Sequence, residues 1–129
     1  MSLSHAVIWI DHQEAHVIQF NADASESEII KTKSKHAQVH LKAGVLGNGH
    51  HGADQTYLHE VIQAVSDAGE ILIVGPGSAK LELFKHAHSH DSKISDKIVG
   101  IETVDHPSDG QLLAHAKKYF VKIDNMKPL

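Results

Sequence analysis

The sequence predicts an α/β fold in which helices cover both faces of a mixed β-sheet. Short apolar runs suited to strands alternate with segments whose apolar residues recur every three or four positions, as in amphipathic helices. The clearest junction is residues 70–85, EILIVGPGSAKLELFK, where a buried strand ends in Gly-Pro-Gly and a helical pattern begins at once. The 129 residues are enough for one hydrophobic core and too few for two ordinary domains.

Three strands open the chain. Residues 5–10, HAVIWI, and 16–20, HVIQF, are two β-prone runs joined by a polar connection, which predicts a hairpin. Residues 28–34, EIIKTKS, are expected to form the third strand. Residues 35–53 then contain four glycines and four histidines and show no sustained periodicity. A loop of this length in a compact domain is usually functional or mobile.

Two further strands and three helices follow this loop. Asp54 is expected to cap a helix with an apolar stripe from Tyr57 to Val65. The last helix should begin at a capping box in which Ser108 precedes Gln111 by three residues. Between them come a strand at 71–75, a helix at 78–90 and a strand at 97–104. The domain is therefore expected to span residues 1–120, with 121–129 as a C-terminal tail. The order βββαβαβα is that of a ribonuclease H-like mixed sheet.

Composition narrows the classes of site and partner. The chain has no cysteine, which excludes disulfides and thiolate chemistry and fits a cytoplasmic location. All 12 basic residues are lysines, and the absence of arginine argues against bidentate recognition of guanine and so against DNA. No apolar run approaches the roughly 20 residues of a membrane span, so no membrane partner is expected. The 13 histidines allow the net charge of −4 to change sign below neutral pH.

Three stretches, in order, resemble the central domain of archaeal and eukaryotic class 1 peptide release factors and of Pelota. They are AVIWIDHQEAHVIQF at 6–20, EILIVGPGSAKLELFKH at 70–86 and KIVGIETVDHPSDGQLLAHAKKYF at 97–120. The chain is more closely similar to the small stand-alone bacterial relatives of those factors. The resemblance implies a ribonuclease H-like fold without nuclease activity, no cofactor, and the ribosome or tRNA as the partner.

The resemblance also draws attention to the long loop. In release factors, this loop carries a Gly-Gly-Gln motif whose glutamine promotes hydrolysis of peptidyl-tRNA. Here the motif is missing, so the chain is expected to lack that reaction, and whether it is an enzyme at all stays open. A histidine can move protons and an asparagine can orient a water, unless the loop histidines are incidental. The catalytic candidates are Asn48, His50 and His51, and the binding candidates in the loop are Lys42, Gly47 and Gly49.

The Gly-Pro-Gly turn is a second candidate binding element. Gly75, Gly77 and Lys80 surround the start of a helix, where free N–H groups and a lysine can hold a phosphate or a tRNA backbone. The alternative is that the glycines only permit a tight turn between strand and helix. The turn is not a phosphate-binding Walker A loop, because its spacing differs.

Two further functions remain open on the residues alone. His86 and His90 lie four residues apart on one helix face, and with Asp91 they are weak candidates for a zinc or nickel site in a histidine-rich, metal- or small-ligand-binding stress module. A metal-dependent nuclease would need several carboxylates that converge on metal ions. Asp11, Asp105 and Asp109 lie at strand ends that could be neighbours, but Asp11 is better explained as a turn residue. An exposed edge strand can pair with the edge of a second copy, so a homodimer stays open as an alternative.

Overall fold

A computed structural model describes residues 4–33 and 54–126, which fold into three layers with a five-stranded sheet between helices. The elements in chain order are β1 His5–Ile10, β2 Glu14–Phe20, β3 Ser25–Lys31, α1 Gln55–Ala64, β4 Glu70–Gly75, α2 Ala79–His90, α3 Ser92–Ser95, β5 Ile98–Thr103 and α4 Asp109–Met126. Among the elements of residues 4–33 and 54–126, only the short helix α3 was not expected from the sequence.

The sheet has the predicted mixed topology. Its strand order is β3-β2-β1-β4-β5. The first three strands form an antiparallel meander, while β4 pairs in parallel with β1 and β5 pairs in parallel with β4. Tight turns can join the antiparallel strands, whereas each parallel strand is reached through a helical crossover. The α/β fold class with helices on both faces is therefore confirmed.

Each face of the sheet has its own apolar core. Strand β1 is buried along almost its whole length, and its successive residues belong alternately to the two cores. One core includes Ile8, Ile73 and residues of α1, α2 and α3. The other includes Trp9, Leu72 and residues of α4. This sandwich explains why β1 and β4 appear in the sequence as continuous apolar runs rather than as alternating ones.

Three local signals read from the sequence are confirmed. The Asp54 carboxylate accepts a hydrogen bond from the Thr56 amide at 2.9 Å, as an N-cap does. The Asp11 carboxylate accepts from the amides of Gln13 and Glu14, both at 2.8 Å, which closes the β1–β2 turn. The capping box is also present: the Gln111 amide donates to Ser108 Oγ at 3.2 Å, and the Ser108 amide donates to Gln111 Oε1 at 3.0 Å.

Several element ends differ from the predictions, and the differences are largest at β3 and at the last helix. Strand β3 begins at Ser25 because Asn21 closes a tight turn: its side-chain oxygen accepts from the amides of Asp23 and Ala24, at 2.8 and 2.9 Å. Helix α4 continues to Met126, so the expected tail at 121–129 is helical as far as that residue. No glycine or proline occurs from 111 to 127 to end the helix earlier.

The edge strand β3 presents charge rather than apolar surface along most of its length. Glu26, Glu28 and Lys31 are exposed on it. Charged side chains on an edge strand discourage pairing with a second sheet, so this edge is poorly suited to a strand-to-strand dimer. Within the described parts of the chain, no helix is both long enough and apolar enough to cross a membrane.

Candidate functional site

Trp9 organises a polar cluster at one end of the sheet. Its side chain is only 2% exposed, and its indole N–H donates to the Asp105 carbonyl at 2.6 Å. Trp9 lies opposite His16 in the β1–β2 register. The indole ring packs at 4.2 Å from the His106 ring and 5.5 Å from the His16 ring, measured between ring centroids. A buried, hydrogen-bonded tryptophan thus fixes the position of both imidazoles.

We call Glu14, His16, His106 and Asp109 the acid–histidine cluster. His16 lies between two carboxylates, with Nε2 at 2.7 Å from Glu14 Oε2 and Nδ1 at 2.9 Å from Asp109 Oδ1. His106 Nε2 is 3.9 Å from the same Glu14 oxygen. The side chain of His16 is 13% exposed, whereas that of His106 is 56% exposed. One wall of the cluster is therefore buried and the other faces solvent.

The protonated form of His16 suits this position, because a carboxylate only accepts hydrogen bonds and an imidazolium donates from both nitrogens. Burial by itself opposes that charge. The hydrogen bonds to Glu14 and Asp109 outweigh the burial, and together they raise the pKa of His16 above its ordinary value. The cluster joins the start of β2 to the start of α4 through one ring.

A cleft of about 280 Å³ lies beside the cluster. Its lining combines polar and apolar residues. The full lining is Val104, Asp105, His106, Pro107, Gln111, Leu112 and His115. A small molecule or a partner's side chain that entered this cleft would meet His106 directly.

The sequence identified only part of this cluster. It placed Asp105 and Asp109 at the end of the last strand, and the structure brings Asp109 together there with Glu14, His16 and His106. The interpretation of Asp11 as a turn residue is correct, since its carboxylate is used by the turn. Glu14 and His16 were missed. The available signal was the hairpin register, which places His16 directly across from Trp9.

The Gly-Pro-Gly turn lies at the end of β4. The side chain of Lys80 is buried, and its ammonium group donates to the Gly77 carbonyl. The side chain of Ser78 makes no capping hydrogen bond at the start of α2. The expected phosphate or tRNA-backbone site at Gly75, Gly77 and Lys80 remains a prediction, and the Lys80 ammonium would have to leave the Gly77 carbonyl to serve it.

His86 lies buried near the end of α2. It is 7% exposed, and its Nδ1 is 2.8 Å from Gln55 Oε1. The His90 ring stacks on it at 4.4 Å, and His90 Nδ1 lies 3.2 Å from the His86 carbonyl oxygen. Asp91 ends the helix through its backbone amide, which donates to the Ala87 carbonyl. Stacked rings do not direct their nitrogens at a common point, so the metal site suggested for these residues stays a prediction.

The charge state of His86 should make stability depend on pH. Burial lowers the pKa of His86, and neighbouring His90 and His59 lower it further. The unfolded chain then takes up a proton at a higher pH than the folded chain does. This contribution to stability is complete above the ordinary histidine pKa of about 6.5 and is lost as the pH falls through the lowered value.

We expect His86→Gln to reduce the pH dependence of unfolding. Urea unfolding of the wild-type protein between about pH 8 and about pH 5 should show stability falling on acidification, and the variant should show a shallower fall. His88→Gln, at an exposed histidine of the same helix, is the matched control and should follow the wild-type profile. Equal slopes for the wild type and His86→Gln would contradict this account.

Comparison with known proteins gives matches in structure only. No protein-family model and no curated protein matches the chain. Pelota of Archaeoglobus fulgidus is similar in structure, with a TM-score of 0.61 and 12% sequence identity over 88% of this chain and 30% of that protein. The archaeal translation termination factor aRF1 has a TM-score of 0.55 and 10% identity over 93% of this chain and 39% of aRF1.

A third match is Dom34 of S. cerevisiae, described as a translation termination-like factor involved in RNA quality control pathways and interacting with Hbs1. Its TM-score is 0.50, with 14% identity over 94% of this chain and 38% of that protein. The chain thus spans between 30% and 39% of the length of these proteins. Its fold is that of a segment of Pelota and of archaeal release factor, which confirms at the level of fold the resemblance drawn from the sequence.

Proposed function

We propose that this chain, with a fold shared by segments of Pelota and archaeal release factor, is an accessory factor that binds the ribosome or tRNA in the cytoplasm. The proposal includes no Gly-Gly-Gln-dependent hydrolysis of peptidyl-tRNA. It is carried by one observation: three sequence stretches resemble release-factor central domains in the right order, and the fold they form is the same.

The joining of β3 to α1 supports the proposal. Thr32 Oγ1 donates to Asp54 Oδ2 at 3.1 Å, and the Thr32 amide donates to the Gln13 carbonyl at 2.9 Å. These bonds bring the end of β3, the start of α1 and the β1–β2 turn together. The described residues on either side of positions 34–53 are therefore held at one place, and the sequence resemblance aligns the loop of release factors with the positions between them.

The candidate loop residues lie outside the described parts of the chain. They are Lys42, Gly47, Asn48, Gly49, His50 and His51. Their roles in binding or catalysis remain proposals that rest on the sequence. Contact with RNA in this chain would rely on lysine, histidine and backbone groups, since arginine is absent.

We expect the untagged protein to sediment with 50S or 70S particles at low salt and to be released as salt is raised, because lysine–phosphate contacts are screened. Alanine at Asn48, His50 and His51 together should weaken that association. His88→Ala, at an exposed histidine of α2, is the control and should behave as the wild type does. Circular dichroism should show that all three proteins are folded.

Absence from ribosomal fractions at low salt, together with no binding to tRNA, would contradict the proposal. Release of peptide from peptidyl-tRNA by the wild-type protein would contradict the part that denies hydrolysis. In that case, loss of release in Asn48→Ala or His50→Ala would assign the reaction to the loop.

A further inference from the structure

We propose that Glu14, His16 and His106 bind a divalent transition-metal ion, with Zn²⁺ as the ion that suits the donor set, and that Asp109 supports the site from the outer shell. The site is independent of the proposed ribosomal role and lies away from the histidines that the sequence suggested for metal. One ligand atom from each of Glu14, His16 and His106 lies within 4.8 Å of those of the other two.

The donor set is one that zinc uses. Two imidazole nitrogens and one carboxylate oxygen form the three-ligand arrangement of open zinc sites, in which a fourth position is left for water or a substrate. Imidazole ligands also favour nickel and copper over magnesium and calcium, which prefer oxygen. The neighbouring cleft lined by His106 would provide access for that fourth ligand.

The hydrogen bond between His16 and Asp109 is the strongest structural support. Histidines that bind metal through one ring nitrogen commonly donate the other N–H to a carboxylate, which fixes the tautomer and the ring orientation. His16 Nδ1 lies 2.9 Å from Asp109 Oδ1, while its Nε2 faces the Glu14 carboxylate. The ring is thus already oriented for ligation through Nε2, and Trp9 holds it from the side.

Metal binding needs only a local rearrangement. Ligand atoms about 2.1 Å from a tetrahedral zinc ion lie about 3.4 Å apart. Glu14 Oε2 now lies 2.7 Å from His16 Nε2 and 3.9 Å from His106 Nε2. The first distance must therefore increase and the second must decrease. His106 is half exposed on a loop, so it can move, and any proton on His16 Nε2 leaves to solvent when the ion takes its place.

The test is isothermal titration calorimetry, in which zinc is added to the untagged protein after a chelator has removed any bound metal. We expect one Zn²⁺ per chain, no heat with Mg²⁺, and a visible absorption spectrum of tetrahedral type when Co²⁺ is the probe. Glu14→Gln can still accept a hydrogen bond from His16 but is a poor ligand, and it should abolish the site. His106→Ala should do the same, and Asp109→Asn should weaken zinc binding about 10- to 100-fold.

Two controls separate this site from the other histidines. His115 pairs with Glu102 at 2.7 Å, outside the cluster, and His115→Ala should bind zinc as the wild type does. A variant with alanine at both His86 and His90 should also bind normally.

The proposal would be overturned by a wild type that binds no zinc, by binding that survives in both Glu14→Gln and His106→Ala, or by binding that disappears when His86 and His90 are replaced. Ribosome binding by the zinc-free variants would leave the proposed function intact, since the two results are independent.

Discussion

Replacing Gly75 with alanine should destabilise the protein by about 3 kcal/mol, because a β-carbon there would overlap the backbone carbonyl of Ile10. Gly75 ends β4 and Ile10 ends β1, and these are adjacent central strands of the sheet. A side chain in the way could rotate aside, but a carbonyl group held within a strand cannot. The strands would have to separate, and both cores depend on them.

Gly77→Ala is the matched control from the same Gly-Pro-Gly turn. A β-carbon at Gly77 would meet no atom within 4 Å, and no glycine in the described segments has a positive φ. We expect its free energy of unfolding to stay within about 0.5 kcal/mol of the wild type, as at ordinary surface positions. The free energies of unfolding of both variants can be measured by urea unfolding monitored by circular dichroism. Equal stability of the two variants would show that close approach of β1 and β4 is not what requires Gly75.

The second large effect is expected for Trp9→Ala, at about 3–5 kcal/mol. The substitution would remove a buried ring that packs against His16 and His106, and it would leave the Asp105 carbonyl without its donor. The loss would affect β1, β2 and the β5–α4 loop together. Trp9 is the chain's only tryptophan, so unfolding should be followed by circular dichroism rather than by intrinsic fluorescence.

Trp9→Phe separates packing from hydrogen bonding at this site. Phenylalanine keeps an aromatic ring against the two imidazoles but cannot donate to the Asp105 carbonyl. We expect a smaller loss than for alanine, of the order of 1–3 kcal/mol, since one buried acceptor is left unpaired. If Trp9→Ala cost less than about 1 kcal/mol, Trp9 would not be the organising residue of this end of the sheet.

Most of the fold could be predicted because its signals are local. The apolar runs of β1 and β4, the stripe of α1 and the caps at Asp54 and Ser108 each depend on residues close in sequence. Element ends were less predictable. The start of β3 depends on a turn at Asn21, and the length of α4 depends on the absence of a residue that would end it.

The acid–histidine cluster could not be predicted as a unit because its members come from distant parts of the chain. His16 and Asp109 are separated by 93 residues and meet only when the fold places β2 beside the start of α4. The hairpin register places His16 across from Trp9, but no local pattern shows that Glu14 and His16 will meet Asp109. The reason for Gly75 was likewise hidden, since it lies in the spacing between two strands and not in the conformation of the turn.

The hydrogen bond between Thr32 and Asp54 has a consequence for how this fold can change. It holds together the described residues on either side of positions 34–53, so the length of chain between them should have little effect on the stability of the sheet and helices. Doubling the length of a closed loop costs only about 0.6 kcal/mol of chain entropy. Evolution can therefore lengthen, shorten or rewrite this stretch with little cost to folding, and the same scaffold can carry loops with different activities.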